Sequence, residues 1–154
     1  MTNLAIVLSG EGHYPEAEKL ERDALSIQRR VLGPEHRETL ASMDNLAIVL
    51  SREGRDAEAE KLEQEALDIS RRALGPEHPQ TCLSLYHLGV IAANKGNKTK
   101  AFSLLRQALD HGLPPTGALG MEKDPGLRSL QGDPHFDALV VYAKQRVATT
   151  KTSE

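Results

Sequence analysis

Asn3-Leu4-Ala5-Ile6-Val7-Leu8-Ser9 is followed 42 residues later by Asn45-Leu46-Ala47-Ile48-Val49-Leu50-Ser51, and the echo continues through the whole interval. Glu16-Ala17-Glu18-Lys19-Leu20-Glu21 returns as Glu58-Ala59-Glu60-Lys61-Leu62-Glu63, and Leu32-Gly33-Pro34-Glu35-His36 as Leu74-Gly75-Pro76-Glu77-His78. A weaker third copy keeps Leu88-Gly89-Val90-Ile91, Gly96, Ala101, Leu104 and Ala108-Leu109. A fixed period of this length means a row of small units, each burying its apolar face against a neighbour. Stacking then decides the architecture before any single residue is weighed.

The second copy shows how a unit is built. Met43, Leu46, Ala47 and Leu50 fall at helical spacing and Gly54 ends the stretch, which predicts a helix A over about 38 to 53. After a short turn, Ala59, Leu62, Ala66, Ile69 and Ala73 form one stripe of a helix B, while Glu58, Lys61, Gln64, Asp68 and Arg72 make its solvated face. The first copy has the same stripe in Ala17, Leu20, Ala24, Ile27 and Val31, with Pro15 in the opening turn. In the third, Ala101, Leu104 and Ala108 keep the pattern until Gly112 and Pro114-Pro115 stop it. Ala17, Ala59 and Ala101 recur at one position, where a methyl group lets helices A and B approach closely.

The repeated Gly-Pro-Glu-His places an acid beside a histidine, a pairing that hydrolases use. Its recurrence with the structural period points instead to a connector. Gly33 and Gly75 suit the left-handed residue that ends a helix, Pro34 and Pro76 prevent continuation, and Pro79 opens the next helix with His78 just before it.

Composition narrows the function. A net charge of -3 with no basic block lacks the footprint of phosphate-backbone binding, so nucleic acid is not an expected partner. With no Trp and 3% aromatics, the core must come from Leu, Ala, Ile and Val. Cys82, the single cysteine, stands where the preceding repeat has Leu40 and reads as a small buried hydrophobe. No apolar run reaches the roughly 18 to 20 residues that span a bilayer, and no secretory signal is visible. The expected location is cytoplasmic, with no membrane association.

Paired antiparallel helices with a small-residue crossing resemble the tetratricopeptide repeat. The longer period, with Asn-Leu-Ala, Ala-Glu-Lys-Leu, Glu-Ala-Leu and Leu-Gly-Pro-Glu-His-Pro, resembles its kinesin-light-chain-type variant. The resemblance covers residues 1–112 and implies an all-α fold, a right-handed α-solenoid of three antiparallel helix pairs (about 1–36, 37–78 and 79–112) plus C-terminal capping helices. Against the common pattern, Met43 replaces Trp, Ala47 replaces Gly, Leu50 replaces Tyr and Glu63 replaces Phe, while Gly89 restores the usual glycine. Glu21 and Glu63, placed where the family packs an aromatic ring, are expected to be exposed.

Beyond 112 the repeat stops. Asp124-Pro125 and Asp133-Pro134 each read as a helix start, the second leading to a helix that reaches about Arg146. Residues 113–147 are expected to form a helical cap using Leu127, Leu130, Phe136, Leu139, Val140 and Tyr142, with 148–154 a frayed tail. Asp133, His135 and Asp137 read as capping and surface groups rather than metal ligands. The Asp-Pro segments resemble the closing region of bacterial proteins that carry these repeats behind other domains, some serine/threonine kinases among them. Met1 aligns with Met43, so the chain reads as the C-terminal piece of a longer array, with apolar surface at residues 1–32 available for self-association or further repeats.

In tetratricopeptide arrays the side of helix A opposite its packing residues lines a concave groove that takes extended peptides. On that side lie Asn3 in the first copy; Asp44, Asn45, Ile48, Ser51 and Arg52 in the second; and Tyr86, His87, Val90 and Asn94 in the third. Asn3, Asn45 and His87 form a polar ladder, and Asn can both donate to and accept from a peptide backbone. That these asparagines only tie adjacent helices remains open. Only Arg52 is an anion anchor there, which argues against a ligand held by its terminal carboxylate. No Gly-rich phosphate loop, activated nucleophile or metal-ligand spacing appears, so catalytic, cofactor and metal sites are not expected. The function expected is a non-enzymatic protein-interaction scaffold that binds a peptide or partner segment. The alternative is a self-association or regulatory segment of a larger multidomain protein.

Overall fold

The structure, a computed structural model, describes residues 7–151. It divides into two compact units, Met1–Gly75 and Pro76–Glu154. Among the described residues every regular element is helical.

In the first unit a helical stretch at residues 7–10 precedes α1 (Tyr14–Val31), α2 (Arg37–Arg52) and α3 (Asp56–Ala73). α2 packs between its two neighbours in sequence. The connector behaves as its recurrence predicts. Gly33 has φ +91° and Gly75 φ +97°, a left-handed conformation that a side chain would strain. His36 then caps α2, its Nδ1 accepting from the Glu38 N–H at 3.2 Å, and the Thr39 hydroxyl donates to the Gly33 carbonyl at 2.8 Å. The His of the motif is thus a helix cap.

The second unit holds α4 (Pro79–Asn94), α5 (Lys98–Asp110), α6 (Pro115–Gly120), two 3₁₀ turns (Met121–Lys123 and Pro125–Leu130) and α7 (Pro134–Lys151). α4 packs on α5, α7 packs on α5 and α6, and the Pro125–Leu130 turn lies on α4. His78 repeats the cap, accepting from the Gln80 N–H at 3.1 Å, with Pro79 in the first turn. α7 extends past the expected end near Arg146 to Lys151. Val147 is buried, no Gly or Pro interrupts the stretch, and the Thr149 hydroxyl donates to the Arg146 carbonyl at 2.8 Å.

The second helix of each repeat buries a row that differs from the apolar stripe expected. Ala17, Ala59 and Ala101 are fully buried, as are Ala66 and Ala108. The row continues through Glu21, Glu63 and Leu105, not through Leu20, Leu62 and Leu104, which are only half-buried. Ile27 and Val31, expected on the stripe, are 45% and 66% exposed, and Ala73 is exposed too. The expected exposure of the two glutamates is therefore corrected: Glu21 is 1% and Glu63 0% exposed. Helix register places a position on the inner row whatever its chemistry, and an apolar template passes over an acid found there.

At the same position the third copy has Leu105, apolar though not the aromatic ring of the family pattern. A Cβ added at Gly89 would stand 2.8 Å from Leu105 Cδ2, so the missing side chain is what lets α4 and α5 close. Leu127, Leu130, Phe136, Leu139 and Val140, expected to pack over the third repeat, are all buried. Tyr142 is held at the edge, its hydroxyl donating to Asp110 and the Arg106 guanidinium lying 3.7 Å above its ring. Cys82 is buried as expected, and burial raises its thiol pKa, so it lacks the thiolate character of a nucleophile.

Candidate partner-binding face

The residues opposite the packing side of α2 and α4 recur at i, i+1, i+4, i+7 and i+8, one stripe of a helix. On α2 they are Asp44, Asn45, Ile48, Ser51 and Arg52; on α4 they are Tyr86, His87, Val90, Ala93 and Asn94. Asn3, the first member of the ladder, lies outside the described residues.

The α2 row is part surface and part internal network. Asp44 is buried, 5% exposed, so it is not open to a ligand. Asn45 and Ile48 are half-buried. Ser51 donates to Asp56 Oδ1 at 2.6 Å, joining the end of α2 to the start of α3. Arg52 is exposed, and one of its amino groups donates to the buried Ser9 hydroxyl at 2.8 Å. The remaining donors of its planar fork can serve another acceptor.

Asn45 also lies beside the buried acid of α1, whose two carboxylate oxygens have no hydrogen-bond partner among the described residues. Desolvation raises the Glu21 carboxyl pKa to about 7, while the Asn45 side chain pulls it the other way. Asn45 therefore stands beside the neighbouring helix and on the half-buried row at once.

The α4 row is closed over by the chain's own Asp124–Leu130 segment. Tyr86 is 7% exposed and donates to Asp124 Oδ2 at 2.5 Å. Burial, reinforced by that carboxylate, holds its phenol well above the usual tyrosine range. One turn on, a Cβ at Gly126 would stand 2.5 Å from Val90 Cγ1. A further turn on, the Ser129 hydroxyl donates to the Ala93 carbonyl at 3.3 Å. Asp124 Oδ1 accepts from the Gly126 N–H at 2.8 Å and so fixes the turn. His87 stays half-buried and Asn94 exposed beside the covered strip.

Sequence reasoning identified the row and missed its occupant. Asp124, Gly126 and Ser129 were legible only as a helix start, because nothing in a non-repeating segment tells where it returns. The change of the row itself carried a signal: Asp44, Ile48 and Ser51 become Tyr86, Val90 and Ala93, a more apolar strip suited to being covered. Asp133 is confirmed as a cap, accepting from the His135 N–H at 3.0 Å, with Lys98 3.2 Å away.

Helix pairs repeating every 42 residues, with a small-residue crossing, define a helical repeat protein. The tetratricopeptide repeat family model matches residues 1–72 and 50–111, and the chain belongs to that family. Its fold is similar to a Podosopora anserina protein described as a kinesin light chain with nearly identical TPR-like repeats: 25% identity, TM-score 0.74, covering 99% of this chain and 74% of that one. A variant of the same protein gives a TM-score of 0.73 at 25% identity, covering 98% and 73%. BtubC (BKLC) from P. vanneervenii, at 19% identity and TM-score 0.73, covers 97% of this chain and 63% of that one and shares the fold. No curated protein matches. Repeats of this family mediate protein–protein interaction, and the fold is typically a non-catalytic scaffold. Among the described residues no helix is long and apolar enough to cross a membrane.

Proposed function

We propose that this chain is a non-enzymatic interaction module that takes an extended segment of a protein partner along the face of α2 bearing Asn45, Ile48 and Arg52. The observation that carries this reading is the Arg52 guanidinium, exposed at the end of a half-open row where the family binds its partners. The Asn45 side-chain amide donates to and accepts from the partner's backbone, Ile48 supplies an apolar contact, and Arg52 a charge-assisted bond to an acceptor on the partner. A lone arginine of this kind fits an internal acidic or carbonyl group better than a clamped chain terminus.

The test is selection of binding peptides by display on the whole chain, followed by titration calorimetry. The double variant Asn45→Ala, Arg52→Ala should weaken a selected peptide at least about tenfold, the loss of a charge-assisted bond and one neutral one. Unchanged affinity would refute the reading. A second reading, self-association, is favoured by Val7, Ile27, Val31 and Leu32, which are 41 to 66% exposed in the first unit. Sedimentation velocity on the same samples decides it: a concentration-dependent dimer abolished by Val31→Glu supports association through this surface, and a monomer throughout excludes it.

A further inference from the structure

The Asp124–Leu130 segment sits on α4 along the row that, one repeat earlier, carries Ile48 of the proposed binding face between Asp44 and Ser51. Tyr86 corresponds to Asp44, Val90 to Ile48 and Ala93 to Ser51. We infer that the α4 face is itself a recognition surface for an Asp-Pro-Gly-Leu segment, filled in cis by residues 124–130 and open to a segment of the same chemistry from a partner.

Three contacts, spaced as successive turns of α4, define what the surface reads. The Tyr86 hydroxyl asks for a carboxylate, here Asp124. Val90 asks for a residue with no side chain, because any Cβ at Gly126 would stand 2.5 Å from its methyl group. The Ala93 carbonyl asks for a donor, here the Ser129 hydroxyl. Between them Leu127 is fully buried, supplying an apolar anchor. Pro125 starts the 3₁₀ turn and, together with the Asp124 cap, shapes the segment before it docks. Carboxylate, absent side chain, apolar anchor and hydroxyl in that order make a far more selective pattern than the α2 face offers.

The tethered segment is present at an effective concentration on the order of millimolar, so a partner copy binds only weakly unless the resident one is loosened. This inference rests on reading the outer face of each first helix as the binding surface. The experiment uses the full chain and a fluorescein-labelled peptide of residues 120–131, followed by fluorescence anisotropy. Gly126→Leu places a side chain against Val90 and should unseat the resident segment. The variant is expected to bind the wild-type peptide at least about tenfold more tightly than the unaltered chain does. Adding Tyr86→Phe to it should weaken that binding about fivefold, as expected for one hydrogen bond. Equal binding by Gly126→Leu and the unaltered chain, or no binding by a variant that keeps its helical circular dichroism, overturns the inference. Should Gly126→Leu fail to fold, Asp124→Asn, which weakens both the Tyr86 contact and the Gly126 cap without adding bulk, decides by the same comparison. If the peptide fails while the display-selected ligand still depends on Asn45 and Arg52, this inference alone falls. If that dependence is absent as well, the proposed function falls with it.

Discussion

The second and third repeats share a period, a connector and a buried alanine, yet they solve the same two positions in opposite ways. In the third, Gly89 keeps the family's glycine and meets an apolar Leu105, which brings α4 and α5 together. In the second, the corresponding residues are Ala47 and Glu63, both buried. The first repeat also has a buried acid at this position, Glu21. Their outer faces differ as well: the α2 row keeps Asn45, Ile48 and Arg52 at least partly accessible, while the α4 row lies under the Asp124–Leu130 segment. Repetition of sequence thus fixes where a side chain points and leaves open what it meets there.

The sharpest way to test the contrast at the inner row is Glu21→Gln. The folded pKa of about 7 lies above the ordinary glutamate value of 4.5, so the native state binds more protons than the unfolded one between these limits. The stability associated with this group is fully present below about pH 4.5 and is lost as the pH rises to 7. Glu21→Gln should therefore stabilise the chain by up to roughly 3 kcal/mol at pH 8, with the gain vanishing toward pH 4.5. Urea denaturation of both proteins across that range measures it, and a difference independent of pH would contradict the buried-acid account.

A smaller effect is expected when the third repeat is given the second repeat's residue. Gly89→Ala adds a methyl group 2.8 Å from Leu105 Cδ2, and the overpacking outweighs the better helix propensity of alanine by about 1 kcal/mol. A drop in the thermal midpoint checks it; a rise would show that Leu105 yields freely. The smallest effect belongs to a feature the repeats share. His36→Ala and His78→Ala each remove a side-chain cap, and each should cost about 0.5 to 1 kcal/mol by denaturant titration. Similar losses at both sites would confirm that the connector does the same job twice, whereas a much larger loss at one would mean that its histidine has an additional role.

Much of the fold was legible because the chain states it more than once. The alanine crossing, the glycine that ends each helix and the proline that opens the next follow directly from local stereochemistry. The inner row was misplaced by one residue because Leu20, Leu62 and Leu104 attract an apolar template, while the buried position beside them holds an acid in two copies out of three. Leu105, read as the diagnostic copy, would have corrected the other two. The candidate face was legible as a set of positions and not as a surface. Whether Tyr86 is open depends on Gly126 and Asp124, some forty residues away in a segment with no internal echo to reveal its destination.

Tyr86 gives the chain a reporter of its own. The sequence contains three tyrosines and no tryptophan, so nothing outshines phenol emission in the ultraviolet. One of the three has its hydroxyl tied to a carboxylate on the covering segment, and that contact is present only while the segment is seated. Unseating it changes the polarity and the hydrogen bonding around that ring at once. The unlabelled protein can therefore signal, by its own spectrum, whether its last repeat is covered or bare.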